Sequence, residues 1–178
     1  KRHIEILTNA GVMEDSTKIW WDIRPSAKYP TLETRIMDVC TRIDDAISLA
    51  ALVVSTLRAL YRLRMKNQRW RDYSSMLIRE NRWRAMRYSF DEGLIDFGKG
   101  SIVPFEELLD EFIEISIEDA KTLGCDKEVM ATKNILKRGT SAHRQLKTYE
   151  LSIAAGKNKD EALNDVVDML INETAADL

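Results

Sequence analysis

WWDIRPS at residues 20–26 and TLETRIMD at residues 31–38 decide the fold of this chain, because both stretches alternate apolar and polar residues. A period of two is typical of a half-buried β-strand. The residues between them, 25–30, include two prolines and a serine, which favour a turn. Together these features predict a β-hairpin whose aliphatic side chains are buried on one face.

The polar face of the predicted hairpin carries Asp22, Arg24, Glu33 and Arg35. Side chains on one face of paired strands lie within reach of one another. Carboxylates bind Mg²⁺, and guanidinium groups form paired hydrogen bonds to phosphate or carboxylate. Two interpretations follow. The face is either a site that handles phosphate groups or a solvated surface whose ion pairs contribute little to stability.

After residue 41 the sequence is mostly helical, and Thr41 with Asp44 resembles a capping box ahead of a long apolar stripe. A small second hairpin is expected around residues 98–100. The fold class is therefore α+β, mostly α, with a β-hairpin packed on a helical bundle. Residues 1–178 are expected to form one portion of a domain, with sheet strands in 1–40 and the helical part in 41–178. The further predicted helices are residues 71–90, 104–123, 126–138, 140–155 and 159–174.

Composition excludes several classes of protein. The chain has 27 Lys and Arg against 29 Asp and Glu, which leaves a formal charge of -2. This charge argues against a protein whose main task is to coat nucleic acid or an anionic membrane. The two cysteines are far apart, which disfavours a disulfide framework or zinc site and favours a cytoplasmic location. The longest apolar run, residues 47–57, is shorter than a membrane span.

The chain begins without methionine, inside a predicted helix, and two strands alone make a poor sheet. These features predict the C-terminal portion of a longer polypeptide whose other strands lie upstream.

A predicted helix rich in arginine places Asn81, Arg84 and Arg87 on one face. Such donors suit a nucleotide or a carboxylate, but a solvated helix anchored by Trp83 and Met86 fits equally. Arginines interleaved with aromatic residues also leave open a non-catalytic helical module that binds a protein or RNA.

Residues 138–145 form a polar loop that enters a helix, where Thr140 and Ser141 suit either anion binding or ordinary capping. His143 has no carboxylate or cysteine neighbour in the sequence and is given no role.

Residues 21–38 resemble the C-terminal signature of the carboxylate–amine ligases of the glutamate–cysteine ligase type 2 family. Residues 80–88, 139–145 and 166–174 match the same family in the same order. The resemblance covers nearly the whole chain and implies the C-terminal part of a glutamine-synthetase-like catalytic domain.

The resemblance also implies an activity that depends on ATP and Mg²⁺. The γ-carboxylate of glutamate is joined to an amine, such as that of cysteine, through an acyl phosphate. By this resemblance Glu33 is a metal ligand, Arg35 contacts substrate or phosphate, and Arg24 stabilises the transferred phosphoryl group. Further candidates for substrate or nucleotide binding are Asp22, Asn81, Arg84 and Arg87.

The family's N-terminal half carries a Gly-x-Glu-x-Glu strand with further metal ligands, and no such motif occurs in this sequence. We therefore expect the chain alone to be inactive and to need the N-terminal half of the same enzyme. The expected partners are small-molecule substrates, with neither a membrane nor nucleic acid. The many helices also offer surfaces for a homo-oligomer.

Overall fold

A computed structural model describes residues 2–26 and 28–176 of the chain. The chain divides into two compact units, Lys1–Val39 and Cys40–Leu178, and each unit is described by itself. The division lies one residue from the expected change from strands to helices.

The first unit contains a helix, a single 3₁₀ turn (Ser16–Lys18) and the predicted hairpin. The hairpin is antiparallel and short, and its register places Arg24 opposite Glu33. The ladder is extended at one end by the Arg35 N–H, which donates to the Asp22 carbonyl at 2.7 Å. The elements of this unit are α1 (Arg2–Asn9), β1 (Ile23–Pro25) and β2 (Leu32–Thr34).

The expected burial of the aliphatic face of this hairpin is wrong. Ile23, Leu32 and Ile36 are 51%, 53% and 57% exposed, whereas Ile19, just before β1, is buried. The physical reason is that a two-stranded ladder of three residues per strand has no covering layer of its own.

The second unit is mostly helical and carries a second two-stranded antiparallel hairpin, which confirms an α+β fold dominated by helices. Its elements are α2 (Ile43–Met65), α3 (Ser75–Tyr88), β3 (Leu94–Asp96), β4 (Ser101–Val103), α4 (Phe105–Leu123), α5 (Asp126–Ala131), α6 (Lys133–Arg138), α7 (Ser141–Ala154) and α8 (Lys159–Ala175).

The core of the second unit lies where α2, α4 and α5 meet. Its buried apolar residues are Ala51, Leu109, Ile113, Ala120 and Val129. The residues that α2 contributes to the buried side are small, which lets its backbone approach α4 closely; they are Asp45, Ser48, Ala51, Ser55 and Ala59.

Among the described residues, α2 is the helix that is long and apolar enough to cross a membrane by length and composition alone. It has 23 residues, so the expectation that its apolar run is too short for a span does not hold for the whole helix. Core helices satisfy the same criterion, and α2 packs against α4 and α5.

Two local predictions for the helices are wrong. Arg42, not Thr41, is the N-cap of α2, because the Thr41 hydroxyl donates to Glu173 instead. The helix expected over residues 126–138 is two short helices that meet at Thr132. The Thr132 hydroxyl donates to the Val129 carbonyl at 2.6 Å, a local bond that competes with the regular helical pattern.

The β3–β4 hairpin requires glycine at position 93. Gly93 has φ of +66°, and a Cβ there would lie 2.2 Å from the Val103 carbonyl oxygen. Any other residue would therefore push the two strands apart.

Candidate functional site

Cross-strand pairing gathers three charged side chains on the first hairpin. The Glu33 carboxylate lies between two guanidinium groups: Arg24 Nε donates to Oε2 at 2.9 Å and Arg35 Nε donates to Oε1 at 2.7 Å. The sequence prediction of a shared polar face is therefore confirmed for these three residues, and for the side chain of Asp22 it stays a prediction. We call Arg24, Glu33 and Arg35 the hairpin cluster.

The two arginines of the hairpin cluster are held differently. Arg24 is 18% exposed, and its Nη1 donates to the Thr17 carbonyl at 2.8 Å, so its donors are largely used in the fold. The Arg35 guanidinium lies 5.3 Å from the Trp20 ring centre. Among the hydrogen bonds of residues 2–26 and 28–176, the Arg35 side chain donates only through Nε. Its two Nη groups are therefore available to an anionic ligand.

Glu33 is ionised at neutral pH. Hydrogen bonds from Arg35 and Arg24 hold the pKa of its carboxyl below the ordinary value. With two guanidinium groups around one carboxylate, the cluster has a net positive charge, which favours a phosphate or a carboxylate as ligand. Asp22 lies at the end of the ladder and contributes its main-chain carbonyl to Arg35.

The hairpin cluster does not form a magnesium site by itself. Glu33 is its only carboxylate, and both of its oxygens accept hydrogen bonds from arginine. Over the described part of the chain, no group of three or more His, Cys, Asp or Glu side chains is placed to hold a metal ion. Mg²⁺ prefers octahedral coordination by oxygen ligands, so other donors would have to complete a site that includes Glu33.

The arginine-rich helix α3 uses part of its donor face inside the fold. Asn81 Nδ2 donates to the Ile95 carbonyl and the Ile95 N–H donates to Asn81 Oδ1, both at 2.8 Å. Arg84 donates to the carbonyls of Glu92 and Gly93. Both side chains thus fasten the β3–β4 hairpin to α3, whereas Arg87 stays exposed beside Tyr88.

Replacing Asn81 by alanine should loosen this attachment. Because two part-buried hydrogen bonds to the edge of β3 are lost, we expect the free energy of unfolding to fall by about 1–2 kcal/mol. Thermal denaturation would measure the change. Arg87→Ala, on the exposed side of the same helix, is the control and should stay within about 0.5 kcal/mol of the wild type. Equal stability of the two variants would contradict the assignment.

A second charged cluster was not predicted from the sequence. Arg144, at the start of α7, donates to both carboxylate oxygens of Glu173 in α8, with Nη2 to Oε2 at 2.9 Å. Arg144 also donates to the Gly139 carbonyl, and Thr41 donates to Glu173 Oε2 at 2.7 Å. The charged pair is 15% and 16% exposed. We call Arg144, Glu173 and Thr41 the α7–α8 clamp.

Ordinary capping explains the polar loop before α7. The Thr140 N–H donates to His143 Nδ1 at 3.1 Å, so Nε2 carries the imidazole proton and faces Asp91 Oδ2 at 3.2 Å. The Phe90 ring stacks on the imidazole with centroids 4.6 Å apart. His143 therefore has a carboxylate partner, Asp91, which is 52 residues away in the sequence.

The motifs of this chain lie on a mostly helical α+β fold that displays a carboxylate between two arginines. The profile of glutamate-cysteine ligase family 2 (GCS2) matches residues 1–169. The chain belongs to this family.

Curated relatives are similar over the whole chain and carry the name "Putative glutamate--cysteine ligase 2". The protein from Rhodospirillum rubrum is 57% identical over 178 residues, which cover 100% of this chain and 46% of the relative. The protein from Paracoccus denitrificans is 48% identical over 99% of this chain and 47% of the relative. The protein from Jannaschia sp. is 49% identical over 100% of this chain and 47% of the relative. The chain thus spans about half the length of these relatives.

Proposed function

We propose that this chain supplies the C-terminal half of an ATP-dependent ligase that joins the γ-carboxylate of glutamate to an amine such as that of cysteine. In this reaction ATP phosphorylates the carboxylate, the amine attacks the acyl phosphate, and phosphate leaves. Membership of the ligase family supports the reaction class. The observation that carries the proposal is the hairpin cluster, a positively charged group that combines an ionised carboxylate with two arginines.

Each residue of the hairpin cluster has a proposed role. Arg35 presents its two Nη groups to the carboxylate substrate or to the transferred phosphoryl group, where paired hydrogen bonds fix orientation. Arg24 holds Glu33 in place and adds positive charge that stabilises the developing negative charge. Glu33 would contribute one oxygen ligand to a magnesium site that other donors complete. Mg²⁺ held there would supply positive charge against the phosphate groups.

The isolated chain should be inactive, because one carboxylate cannot organise the metal ion of a phosphoryl-transfer site. Purified polypeptide 1–178, mixed with ATP, Mg²⁺, glutamate and cysteine, should release no ADP above the level of the Glu33→Gln variant. Measurable ADP release that depends on Glu33 would overturn this prediction.

A second candidate function is a non-catalytic module that binds a protein or RNA through α3. It is favoured by one observation: α3 has no buried residue and exposes Trp83 and Met86 next to Arg87. Charge reversal at Arg87 should then weaken partner binding, while Glu33→Gln should leave it unchanged. The ligase proposal expects instead that Glu33→Gln abolishes turnover.

A further inference from the structure

Trp20 contributes little to the packing of its own unit. Its side chain is 86% exposed, so its indole ring buries little apolar area. A single exposed aromatic residue needs no special explanation by itself. Trp20, however, has one particular contact, because the centre of its ring lies 5.3 Å from Cζ of Arg35 in the hairpin cluster.

The backbone that carries Trp20 is fixed next to the hairpin cluster. The preceding residue, Ile19, is buried and anchors this segment in the unit. Arg24 Nη1 donates to the Thr17 carbonyl at 2.8 Å and to the Ile19 carbonyl at 3.5 Å. The same Arg24 side chain donates to Glu33 through Nε at 2.9 Å. One arginine therefore ties the segment before Trp20 to the carboxylate of the hairpin cluster.

The Arg35 guanidinium is held at two points. Its Nε donates to Glu33 Oε1 at 2.7 Å, and its Cζ lies against the Trp20 ring. A guanidinium group is attracted to the face of an aromatic ring, and tryptophan attracts it more strongly than tyrosine or phenylalanine does. The hydrogen bond fixes one atom of the planar group, and the ring contact restricts how the rest of the group is oriented. Among the described residues, the two Nη groups of Arg35 donate to no acceptor.

We propose that Trp20 is a positioning residue that orients the Arg35 guanidinium for an anionic ligand. The inference rests on the proposed function, in which Arg35 binds a carboxylate or a phosphoryl group through its Nη groups. Paired hydrogen bonds to such a ligand require the planar group to face it in one orientation. A guanidinium that already has this orientation loses less conformational entropy when the ligand binds. Trp20 acts through Arg35 and is assigned no contact with the substrate.

Substitution of Trp20 tests this role in the complete enzyme of the proposed function, in which the N-terminal half is joined to this chain. Trp20→Leu keeps an apolar side chain but removes the aromatic face. It should lower kcat/KM about 5-fold, which is the size of an exposed cation–π contact. Trp20→Phe keeps an aromatic face and should retain at least about half of the wild-type kcat/KM. Steady-state release of ADP with glutamate, cysteine and ATP is the measurement. Because Trp20 is exposed, the melting temperature of both variants should stay within about 1 °C of the wild type.

Tyr29→Leu is the matched control. Tyr29 is 60% exposed, and its ring centre lies 5.5 Å from Lys28 Nζ, so this variant loses an exposed cation–π contact outside the hairpin cluster. It should leave kcat/KM unchanged. Equal losses in Tyr29→Leu and Trp20→Leu would show that the effect does not depend on the contact with Arg35, and the proposed role of Trp20 would be wrong.

A second measurement detects the contact directly and does not depend on turnover. In polypeptide 1–178 labelled with ¹⁵N-arginine, the ring current of Trp20 should shift the Nε–Hε nuclear magnetic resonance signal of Arg35 upfield. Trp20→Leu should abolish this shift, and Tyr29→Leu should leave it in place. An Arg35 signal that Trp20→Leu does not move would contradict the inference.

The outcomes separate this inference from the proposed function. Loss of turnover in Glu33→Gln together with an unchanged kcat/KM in Trp20→Leu would overturn the role of Trp20 alone. Full turnover of folded Glu33→Gln enzyme would remove the hairpin cluster from the mechanism, and the role of Trp20 with it. A loss in Trp20→Leu that Trp20→Phe shares in full would show that the aromatic face does not orient Arg35.

Discussion

Under the proposed function, Glu33→Gln is expected to lower kcat/KM by at least about 100-fold, the size of effect seen when an enzyme loses one charged group that acts on the transition state. The amide has one oxygen acceptor and one NH₂ donor. The amide oxygen can therefore accept a hydrogen bond from one of the two arginines, but the NH₂ group then faces the other arginine, which is also a donor. The two guanidinium groups then lose the carboxylate that holds them together, and the proposed magnesium site loses a ligand. Steady-state release of ADP with glutamate, cysteine and ATP is the measurement.

The control for this prediction is Glu14→Gln, an exposed glutamate of the same unit whose ion pair with Lys18 spans 3.6 Å. It should leave turnover unchanged. Arg24→Lys is a second informative variant. Lysine keeps the positive charge, but it lacks the planar guanidinium group that donates to both Glu33 and the Thr17 carbonyl. Full activity of folded Glu33→Gln enzyme would remove the hairpin cluster from the proposed mechanism.

The hairpin cluster could be predicted from the sequence because it depends on local pairing. Arg24 and Glu33 are nine residues apart, and the alternation of residues on either side of one turn determines which side chains face each other. The burial of the other face could not be predicted in the same way. Whether Ile23 or Leu32 is buried depends on which other elements pack against the hairpin. The alternation of apolar and polar residues does not specify those elements.

The α7–α8 clamp shows what local patterns miss. Arg144 and Glu173 are 29 residues apart, and Thr41 is more than 100 residues from Arg144, so no spacing rule connects them. Arg144 and Glu173 nevertheless fall in two of the segments that resemble the ligase family, residues 139–145 and 166–174. That one segment contains an arginine and the other a glutamate was a usable signal, but only helix packing brings the two charges together.

Helix α2 was predicted correctly as a long apolar helix, but periodicity did not reveal which side of it would face the core. The larger apolar residues gave the stronger pattern, while the structure buries the side with Ala51, Ser55 and Ala59. Small residues allow close helix approach, and this packing against α4 and α5 outweighs the pattern of the larger side chains. The asymmetry leaves Ile47, Val54 and Tyr61 exposed.

Arg144→Ala is expected to lower the free energy of unfolding by about 2–4 kcal/mol, and the melting temperature by about 5–10 °C. The variant leaves a mostly buried Glu173 carboxylate with the Thr41 hydroxyl and the charge of Arg42 but without its paired guanidinium donor, and it removes the donor to the Gly139 carbonyl. Differential scanning calorimetry would measure the change, with Glu150→Gln on the exposed side of α7 as the control. A melting temperature within about 1 °C of the wild type would contradict the assigned role of the clamp.

The pH dependence of the clamp provides a sharper test of the same interaction. Hydrogen bonds from Arg144, aided by the Thr41 hydroxyl and opposed by burial, hold the pKa of Glu173 below its ordinary value of 4.5. A carboxyl with a lowered pKa in the folded state stabilises the protein above its unfolded pKa. That stabilisation is lost as the pH falls through the folded pKa. The stability difference between wild type and Glu173→Gln should therefore be constant above about pH 5.5 and should shrink below pH 4.5. The other carboxyl groups titrate alike in both proteins, so their contributions cancel in the stability difference. A stability difference that does not change with pH would show that ionisation of Glu173 is not what stabilises the clamp.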